Sequence, residues 1–136
     1  MEEREQIVRL VLDYFPETQA IYLFGTFATT DMRSESDVDI AVLLTPHQAK
    51  EVGFLGLSTL RFKLEDLLER DIDLINLRQA PTVLQKEVIM AEQRIFCANE
   101  YAAAEFEMLT LSFYQKLNEE RAAIIQDILE SGRIIV

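Results

Sequence analysis

One stretch decides how this chain is organised: residues 23–44, LFGTFATTDMRSESDVDIAVLL. An apolar run leads into Gly25-Thr26, ten residues follow, and Asp37 and Asp39 then precede a second apolar run. Gly-Thr after a strand predicts a tight turn into a helix, whose free backbone N–H groups can bind an anion. In an extended segment the two aspartates present both carboxylates on one face, where they repel unless a cation lies between them. The stretch therefore indicates an anion-binding turn beside a cation-binding carboxylate pair, as a metal–nucleotide complex requires.

Each half of this pattern also has an ordinary structural explanation. The Gly-Thr pair could be a plain turn with a threonine cap, and the two acids could be the solvated start of a strand. Two features favour a functional site. Asp39 directly precedes the apolar residues 40–44, where an unpaired charge is costly, and a third acid, Asp73, lies between Ile72 and Leu74 in another apolar run. Carboxylates embedded in two strands are poorly explained as solubilising charges.

The pattern Gly-[Ser/Thr]-x10-Asp-x-Asp with a later strand aspartate resembles the nucleotidyltransferase superfamily of DNA polymerase β. The short chain is similar to its minimal nucleotidyltransferase (MNT) branch, which includes the MntA-type antitoxins paired with HEPN toxins. The resemblance implies that Asp37, Asp39 and Asp73 are catalytic and hold one or two Mg²⁺ ions that bridge ATP. It implies that Gly25 and Thr26 bind the phosphates through backbone N–H groups and the threonine hydroxyl.

The chain departs from the family pattern at two positions. Thr26 stands where the family usually has serine, and the hydroxyl is kept. Thr29 stands where an arginine commonly follows the alanine of the motif, so a cationic phosphate contact is missing or has moved. Arg33 is the candidate for the moved contact. The change at position 29 bears on the rate and on the choice of nucleotide.

The resemblance also implies a reaction. MntA-type antitoxins transfer AMP from ATP to a tyrosine of the partner HEPN toxin, a ribonuclease, and so silence it with release of pyrophosphate. One alternative is adenylylation of a small-molecule hydroxyl, although such enzymes generally carry an additional helical domain. Another is a catalytically weak antitoxin that acts by binding alone, which Thr29 supports and the intact Asp37, Asp39 and Asp73 oppose.

Composition narrows the class of protein. A length of 136 residues predicts a single domain, 1–136, and the net charge of −11 argues against direct nucleic-acid binding. Such a charge fits a soluble protein that meets a basic protein partner. Cys97 is the only cysteine, which favours a reducing compartment, and neither a signal-peptide pattern nor a membrane-spanning apolar run is present. We therefore expect a cytoplasmic protein with no membrane association.

Apolar periodicity predicts an α/β (α+β) chain, with a small mixed sheet flanked by helices and a long C-terminal helix, an order of elements that resembles the nucleotidyltransferase fold. The strands are predicted over residues 20–24, 38–44, 71–77 and 94–97. The second is apolar on both faces beyond its acids and is therefore placed centrally. Helices are predicted over residues 3–14, 27–32, 48–70, from Pro81 onward, and 100–131.

Two predicted helices carry apolar stripes. The helix over 48–70 has a leucine stripe that we interpret as core packing (Leu57, Leu60, Leu64, Leu67 and Leu68). Gly53 and Gly56 weaken its first half, so a later start or a bend there is the alternative. The helix over 100–131 has a stripe that includes Ala102, Phe106, Leu109 and Phe113. That stripe either packs on the sheet or, in its far half, docks a partner or a second copy, because a small sheet cannot cover a helix of about 45 Å.

Overall fold

The computed structural model describes residues 2–25 and 37–131. Within these residues the predicted α/β class is confirmed, and β1 keeps its predicted bounds while β2 and β3 are shorter than predicted by one or two residues. The elements are α1 (Glu2–Tyr14), β1 (Ala20–Phe24), β2 (Val38–Leu43), α2 (Pro46–Val52), α3 (Thr59–Leu68), β3 (Ile72–Asn76), a 3-10 turn (Leu77–Gln79), α4 (Thr82–Met90), β4 (Arg94–Cys97) and α5 (Glu100–Ser131).

The strands form one mixed sheet of four strands in the order β3-β2-β1-β4. β2 pairs with β3 in parallel, whereas β1 pairs with β2 and with β4 in antiparallel register. The predicted central position of β2 is confirmed. A parallel neighbour needs a crossover connection, and α2 and α3 supply it between β2 and β3. As a result, the first residues of β2 and β3 lie at the same end of the sheet.

Alternation along the strands divides the core into two layers. Ile21, Leu23 and Ile40 are fully buried on the face covered by α1, α2 and α3. Tyr22 and Leu43 are buried on the opposite face, with residues of α4 and α5. Each large apolar side chain removed from water contributes about 1.5–3 kcal/mol, so the two layers hold the sheet from both sides.

The helix predicted over residues 48–70 is two helices in the structure, and the break falls over the segment that holds both glycines, where a later start or a bend was the alternative. α2 ends at Gly53, whose φ of 66° and ψ of −131° leave the helical region, and Ser58 caps α3 by accepting a hydrogen bond from Arg61 N. The break also changes the leucine stripe. Leu60 and Leu64 are buried in the core, but Leu57 and Leu67 are exposed.

The long helix α5 runs to Ser131 as predicted, and its apolar stripe is covered only in the first turns, which is one of the two alternatives that the sequence left open. Phe106 is buried, together with Ala103 and Thr110, whereas Leu109 and Phe113 are 59% and 55% exposed. The predicted helix over 27–32, Gly132 and the apolar tail that follows lie outside the described residues. Among the residues that are described, no helix has the length and apolar character needed to cross a bilayer.

Candidate active site

Three residues on neighbouring strands form a row across the sheet at the end where β2 and β3 begin. Phe24 on β1 is paired with Asp39 on β2, and Asp39 is paired with Asp73 on β3. Side chains at paired positions of neighbouring strands stand on the same face. The structure therefore places Asp39 and Asp73 side by side, although 33 residues lie between them in the sequence.

The carboxylates lie on the wall of one cleft of about 590 Å³. Asp37 and Asp73 are exposed there and Asp39 is half-buried, so Asp73 is less embedded than its apolar neighbours in the sequence suggested. The cleft gathers all three predicted acids and brings in residues that the sequence did not single out (Phe54, Gly56, Leu57, Arg61, Asp71 and Ile72). Asp71 is exposed and also lines the cleft.

The electrostatics of the cleft centre on Asp39. Removal from water raises the pKa of Asp39 from 3.8 to about 6, and the charges of Asp73 and then Asp37 add to the effect. Burial and like charges both penalise the ionised form of a carboxylic acid. A cation placed among these side chains would relieve that penalty.

Gly25 lies directly against this carboxylate. Its φ of +71° is in the left-handed region, and a Cβ built on it would lie 2.0 Å from Asp39 Oδ2. Only glycine tolerates both the conformation and the approach. The predicted phosphate-binding turn therefore begins beside the carboxylate pair, while its other predicted members, Thr26 and Arg33, lie outside the described residues.

Arg61 and Glu65 hold the edge strand that carries Asp73. Arg61 Nε donates to the carbonyl of Ile72 at 2.9 Å, and Ile72 N–H donates to Glu65 Oε2 at 3.2 Å. Arg61 also donates to the carbonyl of Gly56 at 2.8 Å and to Glu65 Oε2 at 3.2 Å. Arg61 and Glu65 thus bind backbone groups of Ile72 that a further strand would otherwise pair with. Arg61 also fixes the loop at Gly56, on the other side of the cleft. This role of Arg61 was not predictable from the sequence, because its partners come near only after folding.

The donor set of the cleft fits Mg²⁺. Carboxylate oxygens are the protein ligands that this ion prefers, and it is commonly held by one or two of them together with substrate phosphates and water. Among the described residues, no group of three or more His, Cys, Asp or Glu side chains is arranged to hold an ion by itself. The three carboxylates therefore suit a Mg²⁺ ion that is bound together with the phosphates of a nucleotide.

Comparison with known proteins agrees with the geometry. A family model described as "Polymerase beta, Nucleotidyltransferase" matches residues 5–101, which contain all four strands. The protein adenylyltransferase MntA of Shewanella oneidensis is 36% identical to this chain over 124 residues, which span 91% of this chain and 86% of that protein.

Solved structures of toxin–antitoxin complexes have the same fold. One contains AMP-PNP and matches with a TM-score of 0.71 at 35% identity, over 93% of this chain and 98% of that chain. Another is the tri-AMPylated HEPN toxin of Shewanella oneidensis in complex with its MNT antitoxin, with a TM-score of 0.68 at 33% identity over 93% and 96% of the two chains. In both comparisons the similarity covers nearly the whole length of the two chains that are compared.

Proposed function

This chain belongs to the polymerase β nucleotidyltransferase family, and we propose that it is an antitoxin that transfers AMP from Mg-ATP to a tyrosine hydroxyl of a partner HEPN ribonuclease toxin. The transfer releases pyrophosphate and neutralises the toxin. The observation that carries the proposal is the pairing of Asp39 with Asp73 beside the Gly25 turn. The adenylyltransferase activity named for the Shewanella oneidensis relative supports the reaction, and the toxin complexes of similar chains support the partner.

In the proposed site, Asp37, Asp39 and Asp73 would hold Mg²⁺, and Gly25 and Thr26 would bind the phosphates. The chemistry that Mg²⁺ supplies at such a site is stabilisation of charge on the attacking and leaving oxygens. The tyrosine oxygen bonds to the α-phosphorus as the bond to the leaving pyrophosphate breaks, so the hydroxyl proton needs an acceptor. Asp73 is suited to accept it, because its carboxylate is exposed to an acceptor that arrives from solvent.

The partner is proposed to dock on the far half of α5. Several of its apolar side chains there are exposed, and Ile124 and Ile125 are each 57% exposed. Exposed apolar residues in succession on one helix are typical of interaction surfaces. A toxin held on α5 would supply the acceptor that this small chain lacks. The cytoplasmic location expected from the sequence stays a prediction.

Transfer of α-labelled ATP to the co-purified HEPN partner, in the presence of Mg²⁺, tests the proposal. We expect label on a partner tyrosine with the wild-type chain and at least about a hundredfold less with Asp39→Asn, because loss of a charged group in a preorganised site removes several kcal/mol of transition-state stabilisation. Asp66→Asn is the matched control, since Asp66 is an exposed acid on α3 outside the cleft.

The outcomes separate the three candidate functions. Label on a partner tyrosine that disappears only in Asp39→Asn supports protein adenylylation at this cleft. An unlabelled partner that is nevertheless bound and inhibited would mean that the chain acts by binding alone. Label that appears on a small-molecule hydroxyl, with the partner unlabelled, would make the chain a small-molecule nucleotidyltransferase.

A further inference from the structure

The loop between α2 and α3, residues 53–58, presents two large apolar side chains to water beside the acids. Phe54 is 78% exposed and Leu57 is 71% exposed, and both line the acid cleft. Neighbouring apolar side chains exposed at the rim of a cleft are typical of a binding surface. The proposed reaction has so far given these two side chains no role.

The backbone of this loop is fixed, although the two side chains are exposed. Leu55 is 1% exposed and packs in the core. The carbonyl of Gly53 accepts a hydrogen bond from Asn76 Nδ2 at 2.8 Å, and the carbonyl of Leu55 accepts one from Ser58 Oγ at 2.7 Å. A loop anchored in this way loses little conformational freedom when a partner binds to it, which favours recognition.

A further anchor places the loop beside the strand that carries Asp73. The guanidinium of Arg61 donates to the carbonyl of Gly56 at 2.8 Å and to the carbonyl of Ile72 at 2.9 Å. Ile72 directly precedes Asp73 in the chain, and two carbonyls that share one guanidinium are close neighbours. The loop therefore forms the wall of the cleft next to the start of β3.

The Phe54 ring is seated on Gly56. A Cβ built on Gly56 would lie 2.1 Å from Phe54 Cζ and within 2.8 Å of both Cε atoms, so a larger residue at position 56 would displace the ring. The glycine thus sets the direction of an aromatic side chain that is not needed in the core. A fixed direction is useful to a side chain that binds a partner.

We propose that Phe54 and Leu57 bind the partner segment that carries the acceptor tyrosine and hold its hydroxyl toward Asp73. The proposal rests on the proposed function, because it takes a partner tyrosine as the acceptor. The far half of α5 would hold the toxin as a whole, whereas the loop would orient one segment of it. Orientation of the reacting groups is a large part of catalysis. Phe54 and Leu57 are therefore positioning residues.

The charge of the cleft defines the chemistry of that segment. Asp71 is exposed, lines the cleft and is not among the proposed ligands of Mg²⁺. Arg61, the basic residue among the described residues that line the cleft, is engaged with Glu65 and two carbonyls. Complementary charge fixes the register of two surfaces. The segment should therefore combine an apolar side chain, packed on Phe54 and Leu57, with a cation that faces Asp71.

Single-turnover transfer of α-labelled ATP, in a complex preformed with unmodified toxin, tests the proposal. At saturating Mg-ATP the double variant Phe54→Ala and Leu57→Ala should transfer at least about tenfold more slowly, because two contacts that orient the acceptor are lost. Its calorimetric affinity for Mg-ATP should be unchanged. The control carries Tyr101→Ala and Met90→Ala, which remove exposed side chains outside the cleft.

Gly56→Ala distinguishes the position of the ring from its presence. The φ of Gly56 is outside the left-handed region, so the added methyl group acts on the Phe54 ring and not through backbone strain. We expect transfer to be slowed by about threefold or more, and we expect no further loss when Gly56→Ala is added to Phe54→Ala, because coupled changes are not additive. Far-UV circular dichroism establishes that the variants fold.

Cross-linking gives a readout that does not depend on the rate. A benzophenone side chain incorporated at position 54 should cross-link, on illumination of the complex, to the toxin peptide that contains the labelled tyrosine. The same group at position 101, which is equally exposed but lies outside the cleft, should not cross-link to that peptide. Mass spectrometry of the digested complex identifies the peptide.

The outcomes keep the loop and the reaction distinct. Transfer at the wild-type rate by the double variant would overturn the role of the loop and leave the proposed reaction intact. Weaker affinity of that variant for Mg-ATP would mean that the loop binds the nucleotide, which would also overturn it, as would cross-links confined to other parts of the toxin. If the wild-type chain transfers no label, both proposals are wrong.

Discussion

Gly25 and Asp39 are packed so closely that a single added methyl group at position 25 would lie 2.0 Å from the carboxylate oxygen Oδ2. The glycine ends the first strand and the carboxylate stands on the second, so the contact joins the turn to the acid row. Gly53 has a similar φ of +66° but open space where its Cβ would be. Substitutions at the two glycines therefore distinguish the effect of backbone strain from the effect of the close contact with Asp39.

Gly25→Ala should lower the free energy of unfolding by about 1–2 kcal/mol through backbone strain, and it should also displace Asp39. Gly53→Ala should show the strain alone. Urea denaturation measures the first effect in both variants, and titration with Mg²⁺ and tripolyphosphate measures the second. Weaker tripolyphosphate binding in Gly25→Ala but not in Gly53→Ala is expected. Equal binding in the two variants would contradict the role assigned to the close approach.

The metal-free protein should lose stability as the pH rises through the window set by Asp39. The pKa of this acid is raised from 3.8 to about 6 in the folded state, so between these values the folded protein binds more protons than the unfolded chain. Solvent screening reduces the effect to about 1–2 kcal/mol. Asp39→Asn should match wild type near pH 4 and be more stable above pH 6.

Urea midpoints measured in EDTA across that range give the comparison. Asp66→Asn, an exposed acid on α3, should follow the wild-type curve. A parallel offset of Asp39→Asn at all pH values would mean that the carboxylate acts through hydrogen bonding and not through its charge.

Arg61→Ala should lower the free energy of unfolding by about 2–3 kcal/mol, because it leaves the carbonyls of Ile72 and Gly56 without their donors. It should also weaken Mg-ATP binding, since the strand that carries Asp73 loses its support. Lys63→Ala, an exposed change on the same helix, is the control for helix propensity. Thermal unfolding and calorimetry measure the two effects, and an unchanged affinity in Arg61→Ala would exclude the positioning role.

Tyr22→Phe should cost about 1 kcal/mol, because its hydroxyl donates to Glu107 at 2.8 Å and so joins β1 to α5. Burial and the neighbouring Glu107 raise the pKa of Tyr22 well above its ordinary value, so this hydroxyl is protonated and donates at pH 7. Tyr101→Phe is the exposed control on α5. Chemical denaturation of the three proteins at pH 7 gives the comparison, and equal midpoints would contradict the prediction.

The double substitution Ile124→Ser and Ile125→Ser should leave the melting temperature of the isolated chain nearly unchanged, because both side chains are exposed. It should weaken binding of the HEPN partner by at least about tenfold, since burial of each side chain contributes more than 1 kcal/mol. Leu67→Ser on α3 removes an exposed apolar side chain elsewhere and serves as the control. If the affinity for the partner is unchanged in the double variant, the docking surface is not on the far half of α5.

The acid pattern was predictable because it is local. Asp39 and Asp73 stand in apolar runs whose length and composition indicate strands without knowledge of the fold. Their pairing depends on the parallel register of β2 with β3, which the sequence does not fix. The role of Arg61 was missed for the same reason, since its partners include backbone carbonyls brought near by folding.

The leucine stripe was misread because apolar spacing alone does not reveal where a helix breaks. Gly53 and Ser58 end one helix and begin the next, which turns Leu57 away from the core. On α5 the spacing was right, and the exposed far half agrees with the alternative in which the sheet does not cover the whole helix. A sheet of four strands covers only the first turns, and Phe106 marks one of the last apolar positions that it reaches.

The second half of α5 is consequently stabilised very little by packing against the rest of the fold. After Thr110 no residue of the helix is fully buried, so its backbone hydrogen bonds are held by little except helix propensity. A helix of that length is marginal in water without packing. Amides in this half should exchange with solvent through local fraying long before the sheet opens, and a protease should cleave there first. Contact with a partner would remove that weakness, which couples the lifetime of the chain to its being bound.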